Sequence, residues 1–191
     1  IKKDEEIIEG KDYRTNKKCV NNYSENVLLK DICLNIKKGE HICVIGKVGS
    51  GKSCLLNAII NNLAVLHSKN SKANIKLSGT VSYVSQNPWI LNDTIENNIL
   101  FFKPMIKEKY DKIVSICQLL PDLETFPEGG QTQIGERGLN LSGGQKARLA
   151  IARALYHDCD IYIFDDPLSS LDAYVGMILY EELFKNYLKD K

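Results

Sequence analysis

The sequence predicts an α/β fold with a helical insertion, and three stretches carry that prediction. Ile42-Cys43-Val44-Ile45 is an apolar, largely β-branched run that reads as a buried strand. It leads into Gly46-Lys47-Val48-Gly49-Ser50-Gly51-Lys52-Ser53, a G-x-x-x-x-G-K-S loop, and Cys54 to Ile60 then reads as a helix. Far downstream, Asp160-Ile161-Tyr162-Ile163-Phe164 reads as a second buried strand that ends in two carboxylates, Asp165 and Asp166. Strands interleaved with helices argue for an α/β architecture, with the helical insertion between Pro88 and Leu155.

The loop between the first strand and its helix has a specific chemistry. Gly46, Gly49 and Gly51 permit backbone conformations closed to other residues and allow close approach of a ligand. The backbone N–H groups, with the helix N-terminal dipole, form a nest for a di- or triphosphate. Lys52 is placed to reach β- and γ-phosphates, and the Ser53 hydroxyl to ligate Mg²⁺. A glycine-rich turn joining two core elements is the plainer alternative.

Taken in order, residues 1–18 are charged and polar and are expected to be a flexible lead-in. From Lys18 to Ile45 the text becomes strand-like, with Val27-Leu28-Leu29 and Ile32 to Ile36 before a Lys37-Lys38-Gly39-Glu40 turn. His67 to Asn74 reads as a surface loop, and Ile75 to Val84 as two short strands around Ser78-Gly79. Pro88 marks a boundary, because it disfavours a helical Asn87. Thr94 to Leu100 and Ile106 to Leu120 read as helices; in the second, Ile106, Tyr110, Ile113, Val114 and Cys117 share a face. Pro127 to Gly138 is a glycine-rich loop. A helix begins near Ser142 with Ala147, Ala150, Ile151, Ala154 and Leu155 on one side, and Tyr174 to Leu188 is a final amphipathic segment.

At 191 residues the chain fits one domain able to bury a sizeable core. A net charge of +1 implies no broad attraction to nucleic acid or an anionic membrane. Cys19, Cys33, Cys43, Cys54, Cys117 and Cys159 form no C-x-x-C pair and have no His partner at zinc spacing. A reducing, intracellular setting is the expectation. No run approaches the ~18 apolar residues of a membrane span, and the charged start without Met suggests an excised piece of a longer chain.

Four further motifs narrow the class. Leu141-Ser142-Gly143-Gly144-Gln145 is similar to the signature of ATP-binding cassette proteins, and it also reads as a helix N-terminus with Ser142 as cap, itself an anion site. Ile161 to Asp166 resembles a Walker B strand, Ser169-Ser170-Leu171-Asp172 resembles a D-loop, and Gln86 after a short strand resembles a Q-loop. In this order and spacing the set resembles the nucleotide-binding domain of an ATP-binding cassette (ABC) exporter, from about Leu28 to about Glu181. Gln133-Ile134-Gly135-Glu136-Arg137-Gly138 looks like the exporter-type loop that touches transmembrane helices. Gln86 to Ile90, Leu119-Leu120-Pro121-Asp122-Leu123 and Asp165-Asp166-Pro167-Leu168-Ser169 are similar to the multidrug-resistance-associated subfamily, its first nucleotide-binding domain in particular.

The resemblance implies a phosphate-loop NTPase fold: a RecA-like core, a small antiparallel β lobe and a helical lobe at about 88–155, within a domain spanning 19–191. It implies ATP and Mg²⁺ as cofactors. Gly46, Lys47, Val48, Gly49, Ser50, Gly51, Lys52, Ser53 and Cys54 would hold the phosphates, with Ser53, Gln86 and, through water, Asp165 serving the metal. Gln86 would also contact the attacking water. Ser142, Gly143, Gly144 and Gln145 would face a nucleotide held by a second nucleotide-binding domain in a head-to-tail pair, with Asp172 bridging the halves. Tyr23 is the candidate for stacking on adenine, an ordinary half-buried tyrosine being the alternative. The partners implied are that second domain and transmembrane domains of the same transporter, at the cytoplasmic face of a membrane. No nucleic acid is implied.

Two departures bear on turnover. Asp166 stands where active members have Glu as catalytic base, and one methylene less draws the carboxylate back by roughly 1 Å, a misplacement worth on the order of a hundredfold in rate. The family's switch histidine is expected beyond the helix after the D-loop, whereas His41, His67 and His157 all precede Asp165. The resemblance therefore implies weak hydrolysis by an incomplete site. A regulatory ATP-binding module without turnover, and a soluble ABC ATPase, are the alternatives.

Overall fold

The computed structural model describes residues 9–11, 18–20, 27–64, 74–138 and 140–191. The chain divides into two units, one formed by residues 1–35 and 43–77, the other by 36–42 and 78–191.

In the first unit, strands β1 (Glu9–Lys11) and β2 (Lys18–Val20) pair antiparallel with Gly10 opposite Cys19. Part of the expected lead-in is thus a strand. Helix α1 (Lys52–Ile59) starts where expected, immediately after the glycine-rich loop. The strand expected at Ile42 to Ile45 is not formed: these residues carry no ladder, and Ile45 is 88% exposed. Val27 to Leu29 and Ile32 to Ile36 likewise lie outside any strand. An extended segment becomes a strand only when a neighbour takes its N–H and C=O groups, and among the described residues the ladders are β1–β2 and one pair in the second unit. Cys43 is accordingly exposed and not a core thiol. The expected loop at His67 to Asn74 lies almost wholly outside the described residues.

The second unit opens on the Lys37–Glu40 turn, closed by Glu40 N–H to Lys37 O at 3.1 Å with Gly39 at φ +81°. Of the two strands expected between Ile75 and Val84, only β3 (Val81–Val84) forms. It pairs in parallel with β4 (Ile161–Phe164), Val81 opposite Ile161 and Val84 opposite Phe164. A parallel pair requires a long crossover. Here the crossover holds α2 (Ile95–Leu100), α3 (Lys107–Ile116), α4 (Leu120–Thr125) and α5 (Gly143–Tyr156).

Local chemistry sets the helix limits. Thr94 caps α2 by accepting from Asn97 N–H. The helix expected as far as Leu120 breaks after Ile116, because Gln118 turns left-handed (φ +54°) and Pro121 opens α4 instead. After β4, Asp172 caps α6 (Ala173–Tyr180) through the N–H groups of Tyr174 and Val175, and Glu181–Tyr187 continues as a π-helical turn.

The core of this unit gathers Ile99, Ile113, Val114, Leu149, Ile151, Leu155, Leu179 and Leu183. Each such side chain contributes ~1.5–3 kcal/mol by burial. On α3 the expected face is buried except Ile106, which lies outside the helix as its exposed N-cap. On α5 burial exceeds the single face expected, since α2, α3 and β3 all pack against it, and Arg153 is buried too. Arg153 Nε donates to Asn98 O (2.8 Å), Nη2 to Asn98 Oδ1 (2.7 Å) and Nη1 to Trp89 O (3.0 Å). Asn98, fully buried, also accepts from Leu91 N–H and donates to the carbonyls of Leu91 and Thr94.

Asn98→Ala leaves a buried guanidinium and a buried N–H short of an acceptor, so it is expected to destabilise the domain by about 3 kcal/mol. Urea unfolding of the purified domain measures this; a loss below about 1 kcal/mol would show that water replaces the amide.

Candidate functional site

The phosphate loop is built by backbone geometry in the first unit. Gly49 (φ +81°) and Gly51 (φ +91°) adopt left-handed conformations that a Cβ would strain, and Ser50 N–H closes a turn onto Lys47 O at 3.2 Å. At Gly46 the constraint is proximity, because a Cβ there would lie 2.7 Å from Ser50 Oγ. Gly51 is the N-cap of α1 and offers no side-chain acceptor to the first-turn N–H groups. Lys52 Nζ donates to the carbonyls of Gly46 and Lys47, both at 2.9 Å, so the ammonium is held against the loop. Val48 stands fully exposed at its tip, Ser53 is exposed and Cys54 half-buried. Left-handed glycines, an uncapped helix start and a lysine drawn over the loop fit an anionic phosphate group.

In the second unit the parallel register decides what meets. Asp165 N–H donates to Val84 O at 2.9 Å, extending the β3–β4 ladder by one step. The residues that follow each strand, Ser85-Gln86 and Asp165-Asp166, therefore leave the sheet side by side at its carboxyl edge, where ligands of open α/β sheets bind. Asp165 is buried and accepts from the Tyr83 hydroxyl at 3.4 Å, whereas Gln86 and Asp166 are exposed. Asp166 has φ +52°, a conformation that Asp tolerates better than most residues. Ser169 donates to Asp166 O from both its N–H (3.4 Å) and its hydroxyl (2.9 Å).

The turn at Leu141 to Gln145 has the geometry its sequence predicts. Ser142 Oγ accepts from Gln145 N–H (3.2 Å), and Gln145 Oε1 accepts from Ser142 N–H (2.9 Å), a reciprocal capping box at the start of the 14-residue α5. Gly144 is tightly approached: a Cβ would lie 3.2 Å from Ser170 O and 3.4 Å from Leu171 Cδ2. Ser170 Oγ donates to Gly143 O at 3.4 Å, so this turn and the Ser169–Asp172 segment touch. The carboxylate of Asp172 is engaged as the α6 cap. Upstream, the Gln133 to Gly138 loop is stitched to Asp93 and Thr94, with Ile134 N–H donating to Asp93 O at 3.0 Å.

Tyr23 lies outside the described residues. Sequence reasoning gave no role to Asp122, which stands on α4 and bonds both Gln145 and Arg148; its signal in the sequence was the subfamily-like run Leu119 to Leu123. Among the described residues, no group of three or more His, Cys, Asp or Glu is placed to hold a metal by itself, and no helix is long and apolar enough to cross a membrane.

The glycine-rich loop opening α1 and the mixed helices and sheet define the class: a phosphate-loop NTPase fold. The chain belongs to the ABC transporter family, whose profile matches residues 29–169. It is 48% identical over 159 residues to ABC transporter C family member 8 of Dictyostelium discoideum, covering 83% of this chain and 10% of that protein. It is 49% identical over 168 residues to ABC transporter C family member 3 of Arabidopsis thaliana, covering 88% of this chain and 11% of that protein. C family member 3 of Dictyostelium discoideum is 46% identical over 167 residues, or 87% of this chain and 12% of that protein. The chain therefore spans about a tenth of the length of these curated relatives and is an ATP-binding domain of the C-family type.

Proposed function

We propose that this domain binds Mg-ATP at its phosphate loop and serves as one half of a head-to-tail pair of nucleotide-binding domains in a C-family membrane transporter. Lys52 carries the reading: its charge is held over a left-handed glycine loop at an uncapped helix start. On binding, Lys52 exchanges two carbonyl acceptors for β- and γ-phosphate oxygens, a stronger charge-assisted pairing. Gly46 to Cys54 wrap the phosphates. Ser53 and Gln86 would hold the metal, with Asp165 acting on it through water. Bound Mg²⁺ would neutralise phosphate charge and orient the γ-phosphoryl group.

Ser142, Gly143, Gly144 and Gln145 face the nucleotide of the partner domain, and Asp172 lies where the halves meet. Asp166 is a degenerate base, so this site turns over weakly, in the manner of the first domain of the subfamily. The domain comprises residues 19–191 after the 1–18 lead-in, with a RecA-like core, a small β lobe and a helical lobe at about 88–155. It acts at the cytoplasmic face of a membrane, powering or gating export. Asp166 also favours a second reading, a regulatory module that holds ATP without hydrolysing it.

MgATP at a hundredfold excess over its Kd is expected to stabilise the purified domain by about 2.7 kcal/mol. Lys52→Ala should remove most of that gain in a thermal-shift titration. An equal shift in the variant would make the loop purely structural.

Asp166→Glu, in a full transporter whose partner site is disabled, should raise hydrolysis at this phosphate loop, because the longer side chain reaches the attacking water. Asp166→Asn should leave total turnover of the otherwise intact transporter nearly unchanged. Loss of most turnover in Asp166→Asn would identify Asp166 as a working base.

A further inference from the structure

We infer that Asp122, on α4, is a positioning residue for the Ser142–Gln145 turn and sets how that turn presents its donors to the partner-held nucleotide. This rests on the paired-domain reading above. The observation is a divided carboxylate: Asp122 Oδ1 accepts from Gln145 Nε2 at 2.9 Å, and Oδ2 accepts from Arg148 Nη2 at 2.6 Å. The Asp122–Arg148 pair is largely buried, with side chains 14% and 12% exposed. Asp122 also lines a small cavity with Leu141, Gln145 and Leu149, beneath the turn and away from its exposed Ser142-Gly143 surface.

The consequence follows from the two ends of the Gln145 amide. Its Nε2 donates to Asp122, so its Oε1 is the end that accepts from Ser142 N–H at 2.9 Å. A flipped amide would set oxygen against carboxylate and NH₂ against N–H, repulsive at both ends. Asp122 thus selects one amide orientation and with it the capping box. Gln145 N–H is spent on Ser142 Oγ, and Ser142 N–H on Gln145 Oε1. The donors left to the turn are the Ser142 hydroxyl hydrogen and the N–H groups of Gly143 and Gly144, the first two positions of α5, which have no intrahelical acceptor. Arg148 lies against the same turn, its Nη1 3.5 Å from where a Cβ on Gly144 would stand. Freed from Asp122, the amide can rotate and compete for these donors, and the anion-facing geometry is no longer unique.

The test compares Asp122→Asn, the charge-conserving Asp122→Glu and Ser142→Arg in the full transporter. ATP-driven closure of the paired domains is read by crosslinking, and nucleotide affinity of this domain's own loop by thermal shift. Asp122→Asn should raise the ATP concentration for half-maximal closure roughly tenfold, the size of one lost charge-assisted hydrogen bond, with own-loop affinity unchanged. Asp122→Glu keeps a carboxylate that can accept from Gln145 Nε2 and Arg148 Nη2, so its closure should lie nearer to wild type than that of Asp122→Asn. Normal closure in Asp122→Asn beside blocked closure in Ser142→Arg would overturn this inference alone, leaving Asp122 a structural ion-pair partner. Normal closure in Ser142→Arg would overturn the paired-site reading and this inference with it.

Discussion

The helical part of the second unit depends on one buried cation. Arg153 lies 4.0 Å from the centroid of the Trp89 ring and 5.5 Å from that of Phe101, and its donors are divided between Asn98 and the Trp89 carbonyl. Burial lowers its pKa to about 10, so it remains protonated at neutral pH. Several kcal/mol of desolvation must be offset, and three hydrogen bonds with two aromatic faces do so. Phe101 ends α2 left-handed at φ +41°, an unfavourable state for an aromatic residue; its contacts with Trp89, His157 and Arg153 hold it there. Because α5 begins at Ser142 and carries Arg153, the anchor joins the helix of the capping turn to the segment that follows Gln86.

The sheet supplies the second constraint. Parallel pairing of β3 and β4 delivers Gln86 and Asp165 to one edge although 79 residues separate them, without any direct bond between the two side chains being required. This explains how Asp165 can be buried on a strand end and still lie at the sheet's carboxyl edge. Its backbone completes the ladder while its carboxylate accepts from Tyr83.

Legibility in the sequence followed the range of the interactions. The phosphate loop, the helix from Thr94 and the Ser142 cap are local, fixed by residues at most a few positions apart, and each could be read directly. β4 was legible because an apolar run closed by two aspartates has few other uses. The runs at Val27 to Ile36 and Ile42 to Ile45 look equally strand-like, but hydrophobicity only makes a strand possible; a ladder partner makes it one. Asp122 and Arg153 were illegible for the opposite reason. A charged residue on a helix reads as solvent-facing, and its burial becomes visible only when a partner 26 residues distant for Asp122, or 55 for Arg153, is known.

At Asp166 backbone and side chain jointly fix where a carboxylate can stand. The residue is left-handed, precedes Pro167, and offers its carbonyl to two donors from Ser169. A residue before proline is already disfavoured in the right-handed helical region, and short Asp and Asn side chains tolerate the left-handed state best. The turn therefore sets where the carboxylate begins, while side-chain length sets how far it reaches. Asp meets the backbone demand at low strain but gives the shorter reach; Glu reverses the balance. A base at this point is a compromise between turn geometry and reach, and on that reading the Asp here favours the turn.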